Sequence, residues 1–296
     1  MKLWAPAYYK SFACIADKCD HSCCVGWEID IDSETYGRYK ALEGGYAQQI
    51  TESISVEGGT PHFRLGSGDR CPHLDGRGLC RIIFSFGEEH LCHICREHPR
   101  FYNYTDRVEV GLGMSCREAA RLILSSPDYD AFEEIGELDI PDSAPDTEGR
   151  GERQRIYGIL KDGGRDYGAR LDAIYKAYGI ETGEDGRWLE LLGSLEYLDG
   201  AHRDMFLRYS AALRPTAMDE YLERALAYFL YRHLTEAEDR EECRTRISFC
   251  LFLERLLASL LCTEGADTLE SVAVPASILS EEIEYSEDNT DTLMYT

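Results

Sequence analysis

Cys14-Ile15-Ala16-Asp17-Lys18-Cys19-Asp20-His21-Ser22-Cys23-Cys24-Val25-Gly26-Trp27 places four thiols within eleven residues. So short a stretch brings sulfurs together at little loop-closure cost. Adjacent Cys23 and Cys24 cannot easily bind one ion with the same geometry, so one of them serves a second metal or a larger cluster. A second group follows at a distance: Cys71-Pro72 and Cys80, then Cys92-x2-Cys95, then Cys116, so that nine of the twelve cysteines precede residue 117. Thiolate-rich sets of this kind suit zinc or an iron–sulfur cluster, four sulfurs to a structural zinc or a cubane. Cys92 is the weakest of the nine, because Cys92 and Cys95 need not both face one site. Cys243, Cys250 and Cys262 lie in or beside an apolar helical run and read as core residues. His21, His73, His90, His93 and His98 fall among the thiols; an imidazole can replace a sulfur at zinc, but each can equally serve a backbone carbonyl.

The rest of the composition sets limits. The chain of 296 residues is 44% hydrophobic and 11% aromatic, which suits a globular protein with a sizeable core. No apolar run approaches the roughly 18 residues of a membrane span. The opening Met1-Lys2-Leu3-Trp4-Ala5-Pro6 turns polar at Tyr8, Tyr9 and Lys10, without the apolar stretch of a secretory signal, so the expected compartment is the cytoplasm. There thiols stay reduced, and clustered cysteines read as metal ligands rather than disulfides. The net charge of −24 is lopsided: −3 falls on residues 1–126 and −21 on the remainder. So acidic a half repels nucleic acid; it can attract a lysine-bearing protein surface or serve as a solvated face.

The predicted fold is mainly α with minor β, an irregular cysteine-rich metal-binding module (1–126) packed on a C-terminal helical bundle (151–296). An acidic, proline-containing linker or loose connection (127–150) joins them. Asp32 is placed to cap a helix over Ser33–Leu42. Ile54–Val56 and His62–Leu65 flank Gly58-Gly59 as a hairpin, Arg107–Val110 is a short strand, and Ser115–Leu124 is helical. Further helices are expected over 152–162, 166–178, 187–198, 202–213, 217–234 and 241–262. Between Ile247 and Leu261 the last of these is apolar almost all round, as in the central helix of a bundle. Pro275 is expected to interrupt before a short helix near Ile278–Ile283, and the polar end Glu287–Asp291 to be partly ordered at best.

Cys14-x4-Cys19-x3-Cys23-Cys24-x-Gly26-Trp27 resembles the opening of the flagellin lysine-N-methylase family. So do Cys71-Pro72-His73-Leu74, Gly78-Leu79-Cys80, Cys95-Arg96-Glu97-His98-Pro99-Arg100 and Ser115-Cys116-Arg117-Glu118-Ala119-Ala120. Tyr228-Phe229-Leu230-Tyr231-Arg232-His233 and Glu281–Asn289 extend the resemblance over nearly the whole chain. The N-terminal part is also similar to a broader group of zinc- or iron-chelating domains with the doubled cysteine. The resemblance implies methyl transfer from S-adenosylmethionine to lysine side chains of flagellin, dependent on an iron–sulfur cluster. It implies Cys14, Cys19, Cys23, Cys24, Cys71, Cys80, Cys95 and Cys116 as the cluster-region residues; Cys92 stands where the family pattern has another residue.

Read without that resemblance, the residues say little about methyl transfer. Val108-Glu109-Val110-Gly111-Leu112-Gly113-Met114 is the nearest approach to a cofactor-binding glycine turn, and it reads as a tight turn, because strand and helix do not alternate around it. A C-x3-C-x2-C radical signature is absent, since Gly26 stands where its third cysteine would be. Glu28, Asp30, Asp32, His98 and Tyr102 are possible acid–base groups, and Arg96 or Arg100 can hold a carboxylate, but as surface or capping residues they need no such role. The sequence nominates no catalytic residue and no methyl-donor site. The competing reading is a non-enzymatic zinc- or iron-binding adaptor or redox module.

Overall fold

In the computed structural model, which describes residues 1–27, 29–140, 147–181, 183 and 185–295, the chain opens with strand β1 (Lys2–Pro6) and a 3-10 turn (Ala7–Ser11). Two compact units follow from the path of the chain, one formed by Ala13–Pro99 and the other by Met1–Phe12 together with Arg100–Thr296. The boundary therefore falls at residue 99, not at the expected 126, and the first twelve residues leave the cysteine-rich part. Glu28, Pro141 and Pro145 lie outside the described residues.

The smaller unit holds α1 (Ser33–Ala41), α2 (Ala47–Ser53), the hairpin β2 (Ile54–Glu57) and β3 (Thr60–Phe63), α3 (Arg81–Phe86) and α4 (His93–Glu97). The hairpin pairs Ile54 with Phe63 and Glu57 with Thr60, around the two glycines that mark it in the sequence. Its core is small, built from Ile29, Ile31, Tyr39, Ile50, Phe63 and Ile82 with buried cysteines among them. A core of this size leaves much of the order of the unit to polar ties. Asp32 is the clearest: one carboxylate oxygen accepts from Thr35 N at 2.9 Å as the cap of α1, and the other accepts from His93 N at 2.8 Å at the start of α4. Asp32→Ala is expected to cost this unit about 1–2 kcal/mol, the usual worth of a cap with a second charge-assisted bond. Urea unfolding followed by fluorescence, with Trp4 and Trp188 replaced by Phe in both proteins so that Trp27 alone reports, would measure it.

The larger unit continues with β4 (Arg100–Tyr104), β5 (Val108–Leu112), α5 (Arg117–Ser125) and β6 (Phe132–Glu137). These strands and β1 form one sheet in the order β4-β5-β1-β6. β1 runs parallel to β5, with Leu3 opposite Val108 and Trp4 opposite Glu109, and antiparallel to β6 on its other side. Part of the expected linker is thus the edge strand of a sheet. Its Phe-Glu-Glu-Ile-Gly-Glu sequence leaves Phe132 and Ile135 half-buried and puts acids on the open side, a charged edge that does not invite further pairing.

The tight turn expected at Gly111–Gly113 is found one step later than Gly111, which lies within β5, every residue of which is buried. Gly113 opens the turn, its carbonyl accepting from Cys116 N at 3.4 Å. A Cβ at Gly111 would lie 2.3 Å from the Phe101 ring and 2.6 Å from the Tyr231 ring; at Gly113 it would lie 2.5 Å from the Tyr285 hydroxyl. Both glycines therefore also allow close packing.

Helices α6 (Gly149–Leu160), α7 (Tyr167–Tyr178), α8 (Asp185–Ser194), α9 (Gly200–Phe206), α10 (Asp219–His233) and α11 (Arg240–Thr263) begin close to where periodicity places them, but α8 ends four residues before the expected 198 and α9 seven residues before the expected 213. α10 packs on α11, and between Ile247 and Leu261 all of α11 is buried except Ser248 and Arg255. The one acid in that run, Glu254, is met by Arg214 at 2.6 Å and the Tyr167 hydroxyl at 3.1 Å. Pro275 does not end a helix: α12 (Leu269–Leu279) runs through it, because burial of Val272, Ala273, Ala276 and Leu279 outweighs one lost backbone bond. A π-helical turn (Ser280–Glu284) leads into α13 (Glu287–Tyr295), so the polar end is ordered. Asn289 holds it, donating to the carbonyls of Glu196 at 2.6 Å and Glu282 at 2.7 Å, while Leu293 and Met294 are buried. The whole is mainly α with a small sheet. Among the described residues no helix is long and apolar enough to cross a membrane.

Candidate metal centre

Backbone pairing draws the two cysteine groups of the smaller unit together. Gly26 N donates to Asp69 O at 3.0 Å, Val25 bridges Arg70, and Cys71 N donates to Cys24 O at 2.9 Å. A further bridge, Leu74 to Cys80, folds the Asp75–Leu79 turn back and returns Cys80 towards Cys71. The third segment is tied in from the other direction, by Asp32 to His93 N and by the Tyr39 hydroxyl to His90 O at 2.8 Å.

The result gathers six thiols: Cys23, Cys24, Cys71, Cys80, Cys92 and Cys95. Cys71 and Cys92 are buried in the small core, and Cys24, Cys80 and Cys95 pack against it. The Sγ atoms of Cys92 and Cys95 are 3.3 Å apart. Cys92, the thiol that sequence reasoning set aside, is therefore beside Cys95 and fully buried. The sulfurs sense one another. The hydrogen bond from Cys24 holds the Cys23 thiol well below its usual range, helped by a bond from His98 and the charges of His98 and His21 against the opposing effect of burial. Cys24 is pushed up by that same bond, by burial, and by the charges of Cys23, Cys71 and Cys80. Burial pushes Cys71 up to about 11. Cys92 and Cys95 form the second such pair, Cys92 lowered and Cys95 raised by the bond between them.

The other implied cysteines are placed differently. Cys14 is exposed and Cys19 half-buried on either side of a 3-10 turn (Ala16–Lys18), and neither thiol makes a hydrogen bond among the described residues. Cys116 belongs to the larger unit, where it precedes α5 and packs against the helical core. Cys243 and Cys250 are buried in that core, as their spacing predicts. Of the histidines, His73 is occupied structurally, with Tyr46 Oη at 2.8 Å and Ser53 Oγ at 3.0 Å on its two ring nitrogens. His98, and more weakly His21, are the histidines that act on the thiols, both at Cys23; the sequence offered them with three others as possible zinc ligands, and His98 also as an acid–base candidate.

Among the described residues, no three His, Cys, Asp or Glu side chains form a group that could hold a metal ion. The chemistry of the donors nonetheless suits a thiolate-bound metal: soft sulfurs, Cys71 and Cys92 among them buried, on segments joined by backbone pairing.

Three curated proteins set this arrangement in context. The flagellar biosynthetic protein FliU of Salmonella muenchen is 32% identical over 136 residues, covering 44% of this chain and 80% of FliU. The chain belongs to the flagellin lysine-N-methylase family. The lysine-N-methylases of Salmonella typhimurium and Salmonella choleraesuis are likewise 32% identical over 136 residues. The matched stretch spans about a third of the length of those two relatives, 34% in each case. No family profile matches the chain, and no solved structure matches it.

Proposed function

We propose that this protein is an S-adenosylmethionine-dependent lysine N-methyltransferase that acts on flagellin and depends on an iron–sulfur cluster. The observation that carries the reading is the family membership itself, since two of the matched relatives are named lysine-N-methylase and the third a flagellar biosynthetic protein. The gathered thiols support the metal half of it. Cys23, Cys24, Cys71, Cys80, Cys92 and Cys95 are the residues that would hold the cluster, with Cys14, Cys19 and Cys116 implied by resemblance alone. Bound there, a cluster supplies redox-active iron in a thiolate cage. His98 favours the thiolate form of Cys23, the form that binds metal, and the small core excludes water from Cys71 and Cys92. In the reaction, the lysine amine attacks the sulfonium methyl; an N–C bond forms as the S–C bond breaks, and one N–H proton passes to solvent. A reducing compartment keeps such thiols free to bind metal, which supports the cytoplasm as the site of the activity.

The test is to purify the protein without oxygen, measure iron and acid-labile sulfide, and incubate it with methyl-labelled S-adenosylmethionine and unassembled flagellin. Label on flagellin lysines, dependent on the metal, is the expected result. A metal-loaded protein that labels no lysine of any lysine-rich protein would leave the adaptor reading in its place.

A further inference from the structure

Cys92 and Cys95 form a pair within the larger set of thiols. Cys92 stands at the N-cap of α4, and its carbonyl accepts from Arg96 N at 3.0 Å, so both cysteines belong to one closed helical turn. Residues three apart in such a turn have Cα atoms about 5 Å from each other, inside the roughly 4.4–6.8 Å that a disulfide spans. The two Sγ atoms are already 3.3 Å apart. Joining them needs side-chain rotation and no movement of the backbone. The other close-set thiols of a regular helix, Cys243 and Cys250, are seven residues apart on α11, which separates them by about 10 Å of helix rise.

The turn is held from both sides. The Asp32 carboxylate accepts from His93 N at 2.8 Å, and the Tyr39 hydroxyl donates to His90 O at 2.8 Å. Cys92 is fully buried in the small core, where the isoleucine and tyrosine side chains restrict its sulfur. Cys95 packs against that core but is only half-buried, so a small uncharged solute can reach it. One sulfur is thus accessible and the other is kept in contact behind it. That is the arrangement in which an oxidised thiol is resolved by its neighbour before it reacts further.

We propose that Cys92 and Cys95 are an oxidation site, which a peroxide closes to a disulfide when the thiol set is without its metal. The Cys95 sulfur takes one peroxide oxygen; an S–O bond forms as the O–O bond breaks, leaving a sulfenic acid and one water. The Cys92 sulfur then displaces that oxygen; the S–S bond forms, the S–O bond breaks, and a second water leaves with the Cys92 proton. The two electrons lost by the pair go to the peroxide. The disulfide withdraws two sulfurs from the metal set until a thiol reductant returns them. This consequence rests on the proposed metal centre; the oxidation itself does not.

The whole chain, freed of metal with a chelator and a reductant and then desalted without oxygen, is treated with one equivalent of hydrogen peroxide. It is alkylated with iodoacetamide and digested with trypsin. The peptide 82–96 carries these two cysteines and no other. It is expected to lack two hydrogens and both alkyl groups, at about five times the yield from the chain unfolded in guanidinium chloride. In Cys92→Ala the Cys95 sulfenic acid should persist and be trapped by dimedone. The oxidised chain should bind cobalt(II), read by sulfur-to-cobalt absorption, on the order of tenfold more weakly than the reduced chain, and dithiothreitol should restore binding. Alkylation of both cysteines, a bond from Cys92 to Cys71, or equal yield from the unfolded chain would overturn the proposal. The disulfide with unchanged cobalt binding would uphold the oxidation site and remove the pair from the metal centre. Absence of methyl transfer would overturn the proposed function and leave every one of these readings intact.

Discussion

If the proposed iron–sulfur site is right, replacing Cys92 with alanine is expected to abolish iron binding as fully as replacing Cys95. The two thiols are 3.3 Å apart, and Cys92 is completely buried beside Cys71. Were Cys92 merely a small apolar residue, Cys92→Ala would remove one sulfur's worth of packing, cost about 1 kcal/mol of stability, and leave the metal in place. As part of the thiol set, its loss should lower metal occupancy and methyl transfer on the order of 100-fold, at or beyond what removing a supporting group does at other metal sites. Iron and acid-labile sulfide per chain, with the visible absorption of the anaerobic protein, distinguish the two. Cys243→Ala, in the helical core, serves as the control and should keep its iron.

Cys92 also shows what kind of information the sequence withheld. Spacing reveals that many thiols are present; it does not reveal which face one another, because that depends on pairings such as Cys24 with Cys71 and Asp32 with His93, which join residues 47 and 61 apart. Local patterns were legible where local physics decides. The cap at Asp32, the hairpin around Gly58-Gly59, and the periodic helices α10 and α11 all stand where the sequence places them. The sheet was not legible, because its central strand β1 pairs with partners more than a hundred residues away and β6 has the acidic composition of a linker. Pro275 misled in the opposite direction, since a strong local rule was overridden by burial of the residues around it.

The same blindness to distance hides the pair on which the larger unit most depends. Glu109 and Arg153 are both fully buried, and Arg153 donates to the two carboxylate oxygens at 2.7 and 3.1 Å and to Thr235. Arg107 adds a further bond to Glu109 at 2.9 Å, and the Phe132, Tyr157 and Tyr231 rings surround the Arg153 guanidinium. Arg153→Met keeps much of the side-chain volume but leaves the carboxylate buried with only Arg107, and is expected to destabilise the protein by about 3–5 kcal/mol. Urea unfolding followed by far-UV circular dichroism measures it. The double variant Arg153→Met/Glu109→Gln should recover much of the loss, because the fully buried carboxylate is then neutral, while Arg107, 22% exposed, keeps access to water. Acidity supplies a second check. Burial pushes the Glu109 carboxyl up, but the charge and hydrogen bonds of Arg153, joined by Arg107, outweigh it and hold the carboxyl below its ordinary value. A carboxylate held low in the folded state stabilises that state above the pKa of the unfolded chain, about 4.3, and the contribution is lost as pH falls through the lower folded value. The gap between wild type and Arg153→Met should therefore be widest near neutrality and close as the solution is acidified below about pH 4. A gap that stays constant with pH would mean that Arg153 stabilises the unit by packing against its three rings, with the ion pair contributing nothing.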